Sequence, residues 1–407
     1  MADGLGYLTQ ERVRLRDEAR RFVMEEVLPL ANELDRRKAD IPREFLDRIA
    51  EMGYFGIRIS QEHGGMDLGV FEYCLITEEL ARGWMSVASI IARANGLGCV
   101  TPDQLAASAR GRRIAAFALS EPTAGSDVAG IQCRAERAGD EWVINGEKRW
   151  CGVAKMADCI VLLARTEPIQ AEQRYLGIDA FLIEKERDSF PSGLVGEPID
   201  KIGYHGMTTW NLRFEDFRLP ADAQMSARLR ARREDEDGDS REGGQAGGGG
   251  QGGGGGQAFL GAMSGLNVAR AHTAARATGL ARGALEDALA YAQEREQFGR
   301  PIASFQAIRF KLADMATGVE AARQLYYRAA QLIDDGEVGD KDAAIAKLFA
   351  TEMAERMTSE GIQVYGGNGY TTDHPVERYW RDARLTTIFE GTSEIQRRII
   401  SDRLLGR

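Results

Sequence analysis

Residues Ile302–Asp334 read IASFQAIRFKLADMATGVEAARQLYYRAAQLID. Apolar side chains recur there at Phe305, Ile308, Leu312, Met315, Val319, Ala322, Tyr326, Ala329 and Ile333, in steps of three and four. That spacing lays them along one seam of a helix. A long helix with one apolar seam buries it against others of its kind, which predicts a bundle. Similar patterns over Phe259–Glu294, Lys341–Tyr365 and Thr392–Leu405 complete it, so residues 258–407 are expected to form a four-helix bundle.

Working toward the N-terminus, residues 226–257 hold a mixed-charge run and then the Gly-rich 243–256. No core can be built from such a stretch, which predicts a flexible insertion. Before it, residues 115–225 change to strand patterns. Glu141-Trp-Val-Ile runs into Asn145-Gly146 and Glu147-Lys-Arg-Trp150, a hairpin signal. Cys159–Arg165, Ala180–Glu184 and Asn211–Leu219 are further strands, and short strands without long helices between them indicate an antiparallel β-barrel. Residues 1–114 return to helical spacing: Leu8–Leu34, a helix opened by Pro42 with Asp40 as cap, and Val70–Ala94. The fold class is therefore α+β and mainly α, in the order helical domain, antiparallel β-barrel, four-helix bundle.

The bulk properties narrow the function. The 407 residues exceed one ordinary core. A net charge of −10 gives no basic footprint for nucleic acid. No apolar run reaches membrane-spanning length, and Met-Ala-Asp-Gly leads into a charged helix without a signal-peptide core, so a cytoplasmic protein is expected. Cys74, Cys99, Cys133, Cys151 and Cys159 are scattered, as are His63, His205, His272 and His374, so no metal site is expected.

Four segments could carry chemistry. In Ile388-Phe-Glu390-Gly-Thr-Ser-Glu-Ile-Gln396, Ser393 and Gln396 have capping-box spacing. Glu390 then precedes a helix N-terminus that favours anions, while Ile388 and Phe389 would supply apolar walls that oppose the charge. Such a carboxylate suits proton abstraction beside a carbonyl. On these residues alone, an exposed Glu that complements the helix dipole is the simpler reading. Phe117-Ala-Leu119-Ser120 through Gly125-Ser126-Asp127 offers turn N–H groups to a heterocycle or phosphate, or is an ordinary turn. Arg295 before Phe298-Gly-Arg could grip a pyrophosphate or be a solvated helix end. Gln363 and Gly366-Gly367 permit close approach of a ligand or simply end a helix.

Together the segments resemble the acyl-CoA dehydrogenase family over nearly the whole chain. The matching motifs are Glu-His-Gly-Gly at 62–65, Ser-Glu-Pro-x-Ala-Gly-Ser-Asp at 120–127 and Glu-Arg-Glu-Gln-Phe-Gly at 294–299. They continue with Tyr-Gly-Gly-Asn-Gly-Tyr at 365–370, Arg-Asp-Ala-Arg at 381–384 and Phe-Glu-Gly-Thr-Ser-Glu-Ile-Gln at 389–396. The resemblance implies FAD as cofactor, an acyl-CoA substrate, and Glu390 as the base that takes the α-proton while hydride leaves the β-carbon. It implies that Phe117, Leu119 and Ser120 face the flavin, that Trp150 flanks its ring with Gly152 beside it, and that Thr392 and Glu394 complete the site. Ser126, Asn267, Arg270 and Gly391 would face the substrate, with Ser126 also near the flavin phosphate. Arg295, Phe298, Gln306, Gln363, Gly366 and Gly367 would hold the FAD of a neighbouring subunit, implying a homodimer or homotetramer. An electron-transferring flavoprotein is the implied acceptor.

Three departures from the family pattern stand out. Gly152 replaces a usual Thr or Ser, Asn267 replaces a common Asp, and the stretch between Arg93 and Gly111 looks shorter by about a helix and its loop. Trp150-Cys151, Leu162–Thr166 and Ile202–Met207 are similar to the methylsuccinyl-CoA and short, branched-chain branch, so such acyl groups are the expected substrates. The alternatives are an acyl-CoA oxidase and a non-catalytic acyl-CoA-binding flavoprotein.

Overall fold

The computed structural model describes residues 6–225, 257–337 and 339–406. The Gly-rich 243–256 lies outside them. The described chain packs as two compact units, one formed by residues up to Ala92, Lys201–Met207 and Gly265 onward, the other by Arg93–Asp200 and the chain from Thr208.

The first unit opens with α1 (Gln10–Phe22), a π-helical turn over Val23–Val27, α2 (Leu28–Leu34) and α3 (Arg43–Glu51). Thr9 caps α1 through Arg12 N–H at 3.2 Å. The extended residue before α3 is Pro42, so Asp40 is not its cap. The run read as one helix from Val70 is two, α4 (Val70–Gly83) and α5 (Met85–Ile90), because Trp84 is extended.

In the second unit, α6 (Pro102–Ala109) precedes seven strands: β1 (Ala115–Ala118), β2 (Arg134–Ala138), β3 (Glu141–Gly152), β4 (Cys159–Arg165), β5 (Ile178–Glu184), β6 (Leu194–Ile199) and β7 (Thr209–Pro220). The order is β1-β4-β2-β3-β7-β6, with β5 also on β4. Pairing is antiparallel except where β4 meets β1 and, through Arg134–Arg165, β2. Every residue of β4 is buried, as a strand with neighbours on several sides should be. Ala115, Ile131, Val161, Leu163, Ile178 and Leu182 form the core around it.

Asn145-Gly146 does not turn the chain. It lies inside β3, and the turn between β2 and β3 is at Gly139-Asp140, with Gly139 at φ +64°. Asn145 instead exchanges hydrogen bonds with Asp216 across the sheet, Nδ2 to Oδ1 at 3.0 Å and Asp216 N–H to Oδ1 at 2.8 Å. A register shift follows at Gly146, whose φ is +138° and where a Cβ would lie only 2.7 Å from Cys133 Cα, which excludes a side chain.

The long α7 (Gln257–Glu294) enters the first unit at Gly265, and a short hairpin over Glu296–Pro301, α8 (Gln306–Asp334), α9 (Asp340–Tyr365), α10 (Val376–Thr386) and α11 (Ser393–Leu404) follow. The seam of α8 is buried from Met315 to Ala330. Helix α10, which carries the Arg-Asp-Ala-Arg motif, is an additional helix that the periodicity did not predict. Buried charges tie these helices to α4. Glu78 meets Arg323 at 2.8 Å, Arg282 at 3.0 Å and Tyr326 Oη at 2.5 Å. Burial pushes the Glu78 carboxyl up, but the two guanidinium groups outweigh it and hold it at about 2.

Candidate active site

The chain between α10 and α11 is a tight loop. Phe389 N–H donates to Leu385 O and Ser393 N–H to Thr387 O, drawing its ends together. The cap of α11 is Thr392, whose hydroxyl receives Ile395 N–H at 3.4 Å, one residue earlier than the capping-box reading had it. At the apex, Glu390 and Gly391 both have left-handed backbones, φ +54° and +86°. Two side chains hold the apex by its carbonyls: Lys347 Nζ donates to Gly391 O at 2.7 Å, and Gln396 Nε2 donates to Gly391 O at 2.9 Å and Glu390 O at 3.4 Å. Among the described residues, no acceptor takes the N–H of Glu390 or Gly391.

The surroundings of Glu390 are more charged than expected. Ile388 is 50% exposed and builds no wall. Phe389 lies under the Arg276 guanidinium, 4.6 Å from its ring centroid, and edge-on to Tyr204 at 6.0 Å. Arg276 Nη2 is 3.9 Å from Glu390 Oε1, and the Glu390 side chain is 29% exposed. Lys347 is wholly buried, and burial pushes it down to about 8 against the pull of Glu390. Arg270, also buried and held below its usual range by that burial, donates to Asn267 Oδ1 at 2.7 Å. Arg276 and Lys347 escaped the sequence reading. The signal for both is a lone cation inside a run of small residues, Ala274-Ala-Arg276-Ala and Ala344-Ile-Ala-Lys347.

In the β unit, a second register shift between Lys148 and Cys151 makes a bulge in β3. Trp150 sits on it at φ +63° and is 58% exposed, turned out of the sheet by the extra residue. Gly152 pairs with Thr209 and is buried. Phe117, Leu119 and Ser120 are half-buried, whereas Ser126 is exposed. Buried Lys148 fixes this stretch, donating to Leu119 O at 3.0 Å and Glu121 Oε1 at 2.6 Å. Glu121 in turn accepts Gln132 and Cys133 N–H.

The remaining residues gather where α7 and α9 end. Tyr291 stacks on Tyr365 at 4.0 Å, and Asn368 Nδ2 donates to Tyr291 Oη. Arg295, Gln306, Gln363, Gly366 and Gly367 are exposed there, and Phe298 is 93% exposed on the hairpin. Glu394 is exposed in the first turn of α11, where the helix N-terminus and Thr392 hold its carboxyl below the usual range. No cluster among the described residues could hold a metal, and none of their helices is long and apolar enough to cross a membrane.

Comparison with known proteins fixes the family. The chain matches the acyl-CoA dehydrogenase N-terminal domain over residues 9–110, the middle domain over 116–217 and the C-terminal domain over 256–405. It is 37% identical over 408 residues to a probable acyl-CoA dehydrogenase of Bacillus subtilis, covering 98% of this chain and 99% of that protein. It is 35% identical over 416 residues to (2S)-methylsuccinyl-CoA dehydrogenase of Cereibacter sphaeroides, covering 99% and 71%. Butyryl-CoA dehydrogenase from Megasphaera elsdenii superposes with a TM-score of 0.84 at 33% identity, covering 98% of this chain and 99% of that one. The chain belongs to the acyl-CoA dehydrogenase family, whose members are FAD-dependent.

Proposed function

We propose that Glu390 is the base of this acyl-CoA dehydrogenase and takes the α-proton of the bound thioester. The observation that carries this reading is the loop apex. Its carbonyls are held by Lys347 and Gln396, while among the described residues the N–H of Glu390 has no acceptor and its carboxylate has only Arg276 within ion-pair range, at 3.9 Å. As the proton leaves, charge grows on the thioester oxygen, and an N–H already in position stabilises it without reorganisation. The flavin, when bound, supplies the acceptor for the β-hydride. Phe117, Leu119, Ser120, Trp150, Gly152, Thr392 and Glu394 are its proposed contacts. Ser126, Asn267, Arg270 and Gly391 are the proposed substrate contacts.

The exposed group of Arg295, Phe298, Gln306, Gln363, Gly366 and Gly367 is the proposed grip on the FAD of a second copy, which makes the active form a homodimer or homotetramer. An electron-transferring flavoprotein is the proposed acceptor. Short or branched acyl groups are the proposed substrates, supported by the 35% identity to methylsuccinyl-CoA dehydrogenase.

The test is anaerobic bleaching of the bound flavin by a panel of acyl-CoAs. Glu390→Gln should retain the flavin and slow bleaching by about 10³-fold, the range for losing a general base. Bleaching at the wild-type rate would remove Glu390 from the role. Faster reduction by palmitoyl-CoA than by short or 2-methyl-branched thioesters would remove the substrate assignment.

A further inference from the structure

We infer that Arg276 is a specificity-determining residue that binds a carboxylate on the acyl group, so that the preferred substrates are short acyl-CoAs carrying a second carboxylate. The inference rests on the reading that the acyl group reacts at Glu390.

Arg276 lies on α7 within a stretch buried on every side, and is 3% exposed. A buried guanidinium keeps its charge and needs an anion to offset the loss of water. Some other buried arginines here have that anion, and Arg165, Arg270 and Arg378 have carbonyl oxygens in its place. Arg282 meets Glu78 and Glu79, and Arg82 meets Glu286 and Asp287. Arg276 differs. Its Nη1 donates to Ser89 Oγ and its Nη2 to Thr273 Oγ1, both at 2.8 Å and both neutral, while Nε has no hydrogen-bond partner. Among the described residues, the one carboxylate within ion-pair range is Glu390, at 3.9 Å, beyond hydrogen-bond reach.

Arg270, Arg276 and Lys347 all lie near Glu390, with Asp340 also acting on Arg270 and Glu394 on Lys347. Lys347 is committed to Gly391 O and Arg270 to Asn267. The hydrogen bonds of Arg276 go to two neutral hydroxyl oxygens, each hydroxyl itself donating to a helix carbonyl, and such oxygens are weaker acceptors than a carboxylate. Since Arg276 is so near the carboxylate that takes the α-proton, an oxygen accepting from Nη2 at about 2.8 Å would sit on a carbon roughly two or three bonds from the α-carbon.

The experiment compares matched acyl groups on the FAD-loaded protein. Succinyl-, methylsuccinyl- and glutaryl-CoA are set against 4-methylpentanoyl-, 2,4-dimethylpentanoyl- and 5-methylhexanoyl-CoA, in which isopropyl replaces carboxylate with the same branching and heavy-atom count. Their 2-enoyl products cannot reduce the flavin, so product affinity reports recognition without proton transfer. At least one carboxylated product should bind wild type about 100-fold tighter than its isostere, the range for a buried charge pair. Arg276→Gln should erase that gap by weakening the carboxylated member alone. Equal or better binding of every isostere by wild type would overturn the inference, and needs no variant. Equal weakening of both members in Arg276→Gln would also overturn it, leaving Arg276 as a positioning residue for Glu390. Because affinity involves no base, an error about Glu390 appears separately, as unimpaired flavin bleaching in Glu390→Gln.

Discussion

At Glu390 the backbone is left-handed, a state that an L-residue reaches at about 1–2 kcal/mol and keeps only when its surroundings hold it. Lys347 is the deepest of those restraints. Replacing it by Met removes the donor to Gly391 O and one positive charge beside the forming enolate. Flavin content should stay, while kcat falls about 100-fold, the low end of the range for losing one preorganised stabilising donor. Burial holds Lys347 at about 8, below its usual 10.5, so it loses its charge as pH rises through about 8. The wild-type kcat should therefore decline above that pH, and a pH–rate profile of Lys347→Met should lack that limb. The same limb in both proteins would assign it to another group. None of this was readable from the motif, which marks Glu390 but says nothing of the helix that supplies its anchor.

At the scale of elements, periodicity sufficed where packing is one-sided and failed where a distant partner decides. The seam of α8 was legible because each apolar residue faces the same neighbours. The break at Trp84 was not, since Tyr73 through Gly83 are buried all round and show no period to interrupt. Asn145-Gly146 has the composition of a turn, yet its fate depends on Asp216, 71 residues away. A second long-range partner makes a testable case. The first turn of α4 begins at Gly69-Val70, where Glu72 takes the Gly69 N–H at 3.1 Å but the next two donors go to Asp334 at the end of α8. Val70 N–H reaches Oδ1 at 2.7 Å and Phe71 N–H reaches Oδ2 at 2.8 Å. Asp334→Ala should cost about 1–2 kcal/mol, the range of a lost N-cap. Chemical denaturation checks it, with flavin reduction unchanged as the control. A loss below a few tenths would mean that water replaces the cap.

For the molecule as a whole, a net charge of −10 describes the surface and conceals the interior, where the order of helices was legible but the ionic links were not. One such link makes stability depend on pH. Asp382 is wholly buried, its Oδ1 accepts Tyr204 N–H at 2.6 Å, and its Oδ2 has no hydrogen-bond partner. Burial and then Asp35 push it up to about 6, against Arg381, the Tyr204 N–H and Arg378. Asp35 itself moves the other way: burial raises it, but His205 and Arg381 prevail and lower it. His205 is raised by that same carboxylate, and Lys201 is pushed down to about 8 by burial. The sign for Asp382 follows from linkage. Between 3.8 and about 6 the folded state binds the proton that the unfolded state has released, so stability falls as pH rises through that window. By about pH 7 the penalty is complete, with an upper bound of roughly 3 kcal/mol at 1.36 kcal/mol per unit. Asp382→Asn keeps an acceptor for Tyr204 and removes the charge. It should be more stable than wild type by about 1–2 kcal/mol at pH 7.5, by about half of that near pH 5, and equal to it only below about pH 3.8, where both states hold the proton. Urea titrations of the flavin-loaded proteins at about pH 7.5 and about pH 5 measure the difference. A variant less stable than wild type at both would show that Arg378 and Arg381 outweigh burial and that Asp382 is ionised throughout.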